Sequence, residues 1–238
     1  MSAYGDIKRA QNAAPLSSTV WVLPPRDPGS GTDTGYITVH HLTLATARAF
    51  PGLLEYLGGV FAKEVEDGMT YPQEGEMTQE TFETYFFAAD VFVAIIGGKS
   101  REITTSGAQE LLNIGIETEK AGRTWNECIA GYYYIKPNYP GRSSHICNAG
   151  FVVPPAHRGS GFGALLAKSY VHYAPLLGYQ ASVFNLVYVN NIASVKLWER
   201  LGFSKAGRIP RAGRLRTKDG IGEEYVDAWV FYKSFQDD

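Results

Sequence analysis

The chain has 238 residues, enough for one large domain or two small ones. Its 45% hydrophobic and 13% aromatic residues can fill a sizeable core, and its two cysteines, Cys128 and Cys147, are too few for a disulfide framework. The net charge of −2 argues against a nucleic-acid binder, and the lack of any bilayer-length apolar run or secretory core points to the cytoplasm, with Lys8 and Arg9 leaving a mitochondrial pool open.

Residues 1–34 read as a flexible N-terminal segment, interrupted by Pro24, Pro25, Pro28, Gly29 and Gly31, with room for one short strand at 20–23. Residues 35–238 read as one domain. Its first strand covers 36–42, where apolar and polar residues alternate. A helix is predicted over 46–67, with Phe50, Leu53, Leu54, Leu57, Val60 and Phe61 on one face and Pro51 starting its regular part. A second helix over 78–88 begins at a Thr78 cap. The β-branched run at 91–96 predicts a buried strand. Residues 97–126 are polar and punctuated by glycine, and read as an insertion. Two strands at 128–135 and 145–153 flank a turn-rich connection. Then come a helix at 161–177, a strand at 182–189, a helix at 191–201 and a closing strand at 226–235. Alternating strands and helices predict an α/β domain on a mixed sheet.

Charge is unevenly spread. The 71 residues between Glu127 and Glu199 contain no Asp or Glu but carry Lys136, Arg142, Arg158, Lys168 and Lys196. That positive stretch suits a polyanionic ligand. Within it, a strand runs into His157-Arg158-Gly159-Ser160-Gly161-Phe162-Gly163 and then a helix. Glycines at such a turn let backbone N–H groups approach phosphate oxygens, and the helix start adds positive potential. A nucleoside-triphosphate P-loop would need Lys-Ser/Thr after the last glycine, where Ala164-Leu165 stands. The dinucleotide fingerprint fits Gly159, Gly161 and Ala164, but lacks the acid about 20 residues on, since the next acid is Glu199. The pattern R-x-x-G-x-G, met by Arg158, Gly161 and Gly163, resembles the acetyltransferase loop. Asn190 to Phe203 resembles the motif that follows one helix and one strand later in GNAT enzymes.

The blocks TYPQ from Thr70, YIKPNYPGRSSHICNAGF from Tyr134, AHRG from Ala156, YAPLLGY from Tyr173 and FNLVYVNNIAS from Phe184 resemble the fungal proline-analogue N-acetyltransferases. Those enzymes acetylate L-azetidine-2-carboxylate and cis-4-hydroxy-L-proline, and are linked to oxidative-stress tolerance. The resemblance implies the GNAT fold, a mixed and mostly antiparallel sheet flanked by helices, with acetyl-CoA as co-substrate and a homodimeric assembly. It implies that Asn148 contacts the substrate carboxylate and that the backbone amides of Asn185 and Leu186 bind substrate. It places the backbone of Phe151 and Val153, and the side chain of Asn191, toward acetyl-CoA. Arg158, Gly159, Ser160, Gly161, Phe162 and Gly163 would hold its diphosphate.

Most GNAT enzymes carry a tyrosine on the last helix as proton donor to the departing thiolate. Here that position is Trp198, whose indole donates a hydrogen bond but is not a practical acid. Asn191 is then the expected stabiliser of the thiolate, while its place before an apolar run also suits a helix cap. No base is assigned; Glu64, Glu66, Asp67, Glu223 and Asp227 are the available carboxylates. No residues have metal-ligand spacing, so no metal is expected. Two other functions fit the same motifs: a GNAT enzyme for another small amine (a polyamine, a drug or an amino sugar), and a non-catalytic acetyl-CoA sensor.

Overall fold

A computed structural model describes residues 15–24, 35–97, 109–111 and 114–236. Most of the predicted 1–34 segment, and residues 98–108 and 112–113 of the predicted insertion, lie outside it. The described strands form a nine-stranded sheet. In chain order they are β1 (Ser18–Val22), β2 (Tyr36–Leu42), β3 (Asp90–Ile96), β4 (Gln109–Leu111), β5 (Ile129–Pro137), β6 (Ile146–Val152), β7 (Ala181–Tyr188), β8 (Ser204–Arg216) and β9 (Glu223–Ser234). The spatial order is β4-β1-β2-β3-β5-β6-β7-β9-β8, and every pairing is antiparallel except β6 with β7.

The helices are α1 (Leu44–Ala47), α2 (Leu53–Asp67), α3 (Gln79–Phe86), α4 (Ile116–Lys120), α5 (Trp125–Cys128), α6 (Phe162–Leu176) and α7 (Ile192–Arg200). They cover both faces of the sheet. On one face α2 and α3 bury Leu53, Leu57, Phe61, Phe82 and Phe86 against Val91, Val93, Tyr132 and Tyr134. On the other, α6 and α7 bury Leu166, Tyr170, Tyr173 and Trp198 against Phe92, Tyr133, Phe184 and Phe231. Successive strand residues point to opposite faces, so the run Tyr132-Tyr133-Tyr134 feeds both cores.

Two points differ from expectation. The helix predicted over 46–67 is two: α1 opens on a Thr43–Thr46 capping box, and α2 restarts after Pro51 with Gly52 in the left-handed region at φ 76°. The short strand expected at 20–23 is β1, paired with β2. Within residues 97–126, β4 extends the sheet beyond β1, α4 is regular and α5 begins. The whole of β8 is an addition. Its largely exposed residues include Pro210 and lack a buried alternation, so nothing in their pattern marks a strand; its long pairing with β9 holds it.

His40 ties β2 to β1 from a buried position, with Nδ1 2.9 Å from Ser18 Oγ and Nε2 2.9 Å from Thr38 Oγ1. Burial lowers its pKa from 6.5 to about 4. A depressed histidine favours the neutral fold, so its contribution is complete above pH 6.5 and is lost as pH falls toward 4. The linkage is worth about 3 kcal/mol over that window. Equilibrium unfolding across pH 4–7 is expected to show this slope, and His40→Gln to flatten it; an unaltered slope in the variant contradicts the assignment.

Candidate active site

The site begins where β6 and β7 separate. Their parallel pairing holds for only two positions, Ile146 with Ala181 and Cys147 with Ser182. Beyond these the strands diverge around a cavity of about 670 Å³. Asn148, Phe151 and Val153 line it from β6 and the residues beyond, Asn185 and Leu186 from β7, and Asn191 from the start of α7. Arg158, Gly159, Gly161 and Gly163 line it from the loop before α6. Ten of the twelve residues singled out in the sequence therefore meet in one cleft. The other two are placed differently. Ser160 is half-buried but outside the cavity lining, and the Phe162 side chain belongs to the core, leaving only its main chain to face a ligand.

The loop geometry follows from glycine. Gly159 and Gly161 take φ of 76° and 86°, a region where a side chain would be strained. Gly161 caps α6 with its carbonyl, which accepts from Ala164 and Leu165. The N–H groups of the first helical turn before Ala164 have no partner within the helix and carry the positive end of its dipole. Arg158 Nε donates to the Val153 carbonyl at 3.1 Å, and its guanidinium pairs with Glu64 of α2, which also accepts from Thr70 Oγ1 at 2.9 Å. Of the five cations in the acid-free stretch, Arg158 alone lines the cleft.

On β6, the Phe151 carbonyl accepts from the Tyr71 hydroxyl at 3.0 Å, so that side of the strand faces the cleft rather than β5. Its ring packs 5.0 Å from Tyr133 and 5.3 Å from Trp198. Gly150 is required by its neighbour: a Cβ there would stand 2.6 Å from the Tyr134 ring.

On β7, pairing with β9 steps from Phe184–Phe231 to Val187–Trp229, so Asn185 and Leu186 form a bulge opposite a single residue. That irregularity takes the main chain of the two predicted substrate-binding residues out of the ladder. Their neighbour Asn138 is one that the sequence did not reveal. Its Oδ1 accepts from Nδ2 of Asn148 and of Asn185, each at 2.6 Å, and its Nδ2 donates to Asn185 Oδ1 at 3.1 Å. Asn138 lies two residues beyond Lys136, the cross-strand partner of Asn148. Only the register of β5 on β6 brings them together.

Lys136 is buried, with Nζ 3.8 Å from the Tyr85 ring centroid, 4.1 Å from that of Tyr134 and 3.3 Å from the Tyr85 carbonyl. Burial lowers its pKa to about 8, so it is mostly charged at neutral pH. It sets a positive charge beneath Tyr85 and Tyr134, which line the cleft and whose hydroxyls are 2.9 Å apart.

Asn191 caps α7, its Oδ1 accepting from the Ser194 N–H at 3.2 Å, and its Nδ2 stays available at the cavity. Trp198 Nε1 donates to Ser194 Oγ at 3.1 Å, and the ring is buried. Of the five carboxylates considered as a base, only Glu64 lines this cleft, and it is held by Arg158. Glu66 and Asp67 pair with Lys63, Glu223 with Arg214, and Asp227 with Arg208. His145 and His157 are tied to the carbonyls of Arg142 and Asn126.

Comparison with known proteins adds the following. The model of the acetyltransferase (GNAT) family matches residues 109–203. The N-acetyltransferase aca1 of Schizosaccharomyces pombe is 44% identical over 172 residues, which are 72% of this chain and 75% of that protein. Protein SPT10 of Saccharomyces cerevisiae is 30% identical over 205 residues, 77% of this chain but 31% of SPT10. In fold, the chain is similar to a GCN5-related N-acetyltransferase from Kribbella flavida, with TM-score 0.61 at 24% identity, covering 83% of this chain and 97% of that one. It is also similar to the yncA acetyltransferase of Salmonella typhimurium, solved with its cofactor acetyl-CoA, with TM-score 0.57 at 15% identity over 85% and 95% of the two chains.

An anion arriving at Arg158 competes with Glu64. Replacing Glu64→Gln removes that competitor and keeps an acceptor for Thr70. Calorimetry at low salt is expected to show coenzyme A binding about 5-fold tighter, the scale of one partly exposed ion pair; unchanged or weaker affinity contradicts the competition.

Proposed function

The chain belongs to the GNAT family of acetyltransferases, and on that premise we propose that it acetylates the nitrogen of a small amino or imino acid, proline analogues such as L-azetidine-2-carboxylate and cis-4-hydroxy-L-proline first among them. It is an acyltransferase whose co-substrate is acetyl-CoA. The observation that carries the substrate reading is the pairing, in one cleft, of the β7 bulge with Asn148 on one strand and Asn191 at the adjoining helix start. The bulge at Asn185 and Leu186 would turn main-chain N–H groups toward a carboxylate, to which the second N–H of Asn148 Nδ2 can also donate. The buried ammonium of Lys136 behind them favours the same negative group. A cavity of about 670 Å³ shared with a coenzyme arm leaves room for a ring-sized acceptor.

The residues fit the co-substrate. The N–H groups at the glycine turn and Arg158 supply donors and charge for a diphosphate, and Phe151 and Val153, which line the cleft, would flank an extended amide-bearing arm. Bound acetyl-CoA supplies its acetyl group as a thioester. As the N–C bond forms and the C–S bond breaks, the amine proton would leave to solvent and negative charge would gather on sulfur. Asn191 Nδ2 then donates a hydrogen bond there, without giving up a proton. Trp198 takes no part, because its N–H is committed to Ser194.

A thiol-release assay with acetyl-CoA tests this. L-azetidine-2-carboxylate and cis-4-hydroxy-L-proline are expected to be acetylated in preference to polyamines and amino sugars, and Asn191→Ala to lower kcat by roughly 10²-fold. Release with polyamines or amino sugars alone would move the enzyme to another small amine. Coenzyme binding with no release for any amine would make it a sensor.

A further inference from the structure

Among the described residues only two cations line the cleft, Arg158 and Arg200. Arg158 is committed to Glu64 and to the Val153 carbonyl. Arg200 is not: it is exposed, and its guanidinium makes no ion pair or hydrogen bond with any described residue. The adjacent acid, Glu199, is taken by Lys205 at 2.7 Å. The helix dipole favours a cation in the last turn of α7, but that leaves all five guanidinium N–H groups without an acceptor.

Helical spacing explains how Arg200 reaches the cleft. Ala193, Ser194, Leu197 and Arg200 share one face of α7, and all four line the cavity. Asn191 caps the opposite end of that helix, about 14 Å away along the axis. The α7 wall therefore runs from a neutral amide to an unpaired cation. Arg158, the glycine turn and the start of α6 line the same cavity from a separate segment.

Charge counting says what the second cation is for. Acetyl-CoA carries two anionic groups: the diphosphate and, on its ribose, a 3′-phosphate, a monoester with close to two negative charges at neutral pH. The glycine turn and Arg158 are suited to the diphosphate. The 3′-phosphate is left without a cation unless Arg200 meets it. A guanidinium offers parallel N–H groups in the geometry that phosphate oxygens accept.

We propose that Arg200 binds the 3′-phosphate of acetyl-CoA and thereby selects the acetyl donor: free acetyl-CoA over an acetyl thioester on the same phosphopantetheine arm without that phosphate, as on a carrier protein. This rests on the glycine turn as the diphosphate site and adds an anion contact on α7. It concerns the donor alone and holds whichever amine accepts.

Calorimetry with coenzyme A and with 3′-dephospho-coenzyme A tests it. At low salt the wild-type chain is expected to bind coenzyme A about 10-fold tighter than the dephospho form, the scale of one charge-assisted contact, and added salt to narrow that ratio. Arg200→Gln is expected to bring the two ligands within about 2-fold of each other by weakening coenzyme A alone. Lys196→Gln removes an exposed cation one turn earlier on α7, outside the cleft lining, and is expected to keep the wild-type ratio. A matching collapse in Lys196→Gln would make the effect one of net charge and overturn the contact. Equal binding of both ligands by the wild type overturns the proposal and leaves the glycine turn standing. So does an Arg200→Gln chain that weakens both ligands alike, which would move Arg200 to the diphosphate or to the fold. Binding of neither ligand by the wild type overturns the glycine-turn site and this proposal together.

Discussion

The structure turns on the parting of β6 and β7 after two paired residues. Parallel strands that stayed paired would satisfy their own backbone groups and leave no cleft. Because they part, the facing edges of β6 and β7 offer main-chain donors and acceptors to a ligand instead of to each other. The aromatic core beneath keeps them apart: Phe151, Phe184, Tyr170 and Trp198 pack between α6, α7 and the sheet, with Phe184 and Trp198 centroids 4.3 Å apart. This explains why a tryptophan fits where a proton-donating tyrosine stands in most of the family. At that position the chain has a wedge for the fork, and the proposed function gives the task of meeting a thiolate to Asn191, the cap of the same helix.

The two ends of the cleft differ in chemistry. At the loop end, glycine turns, a helix start and Arg158 present donors and positive charge, and Glu64 holds that charge in place. At the other end the wall is built from carboxamides and phenols: Asn138, Asn148, Asn185, Tyr85, Tyr134 and Tyr188. Lys136 is enclosed there beneath two aromatic rings. Neutral groups with fixed geometry are suited to sorting small molecules by hydrogen-bond pattern, and a charged glycine loop is suited to a diphosphate.

Much of this was legible in the sequence, for physical reasons. The strand, glycine turn and helix at 152–176 advertise themselves because left-handed glycines and a helix start leave a local signature. The conflict at Trp198 was visible because indole chemistry does not depend on context. Features that arise from pairing were not visible. The bulge at Asn185–Leu186 sits in a run that reads as ordinary strand, and only the register with β9 exposes it. Asn138 meets Asn148 and Asn185 only through cross-strand geometry. β8 has no apolar alternation because most of it is solvent-exposed, so only its partner reveals it.

Residue-resolved amide hydrogen exchange with and without coenzyme A tests the central claim most directly. Slower exchange is expected at Phe151 and Val153 and through residues 159–163, with β2 and β3 unaffected. Coenzyme-induced protection confined to other elements, or no change at the glycine turn, would contradict the claim that the parted strands and the loop before α6 hold the coenzyme.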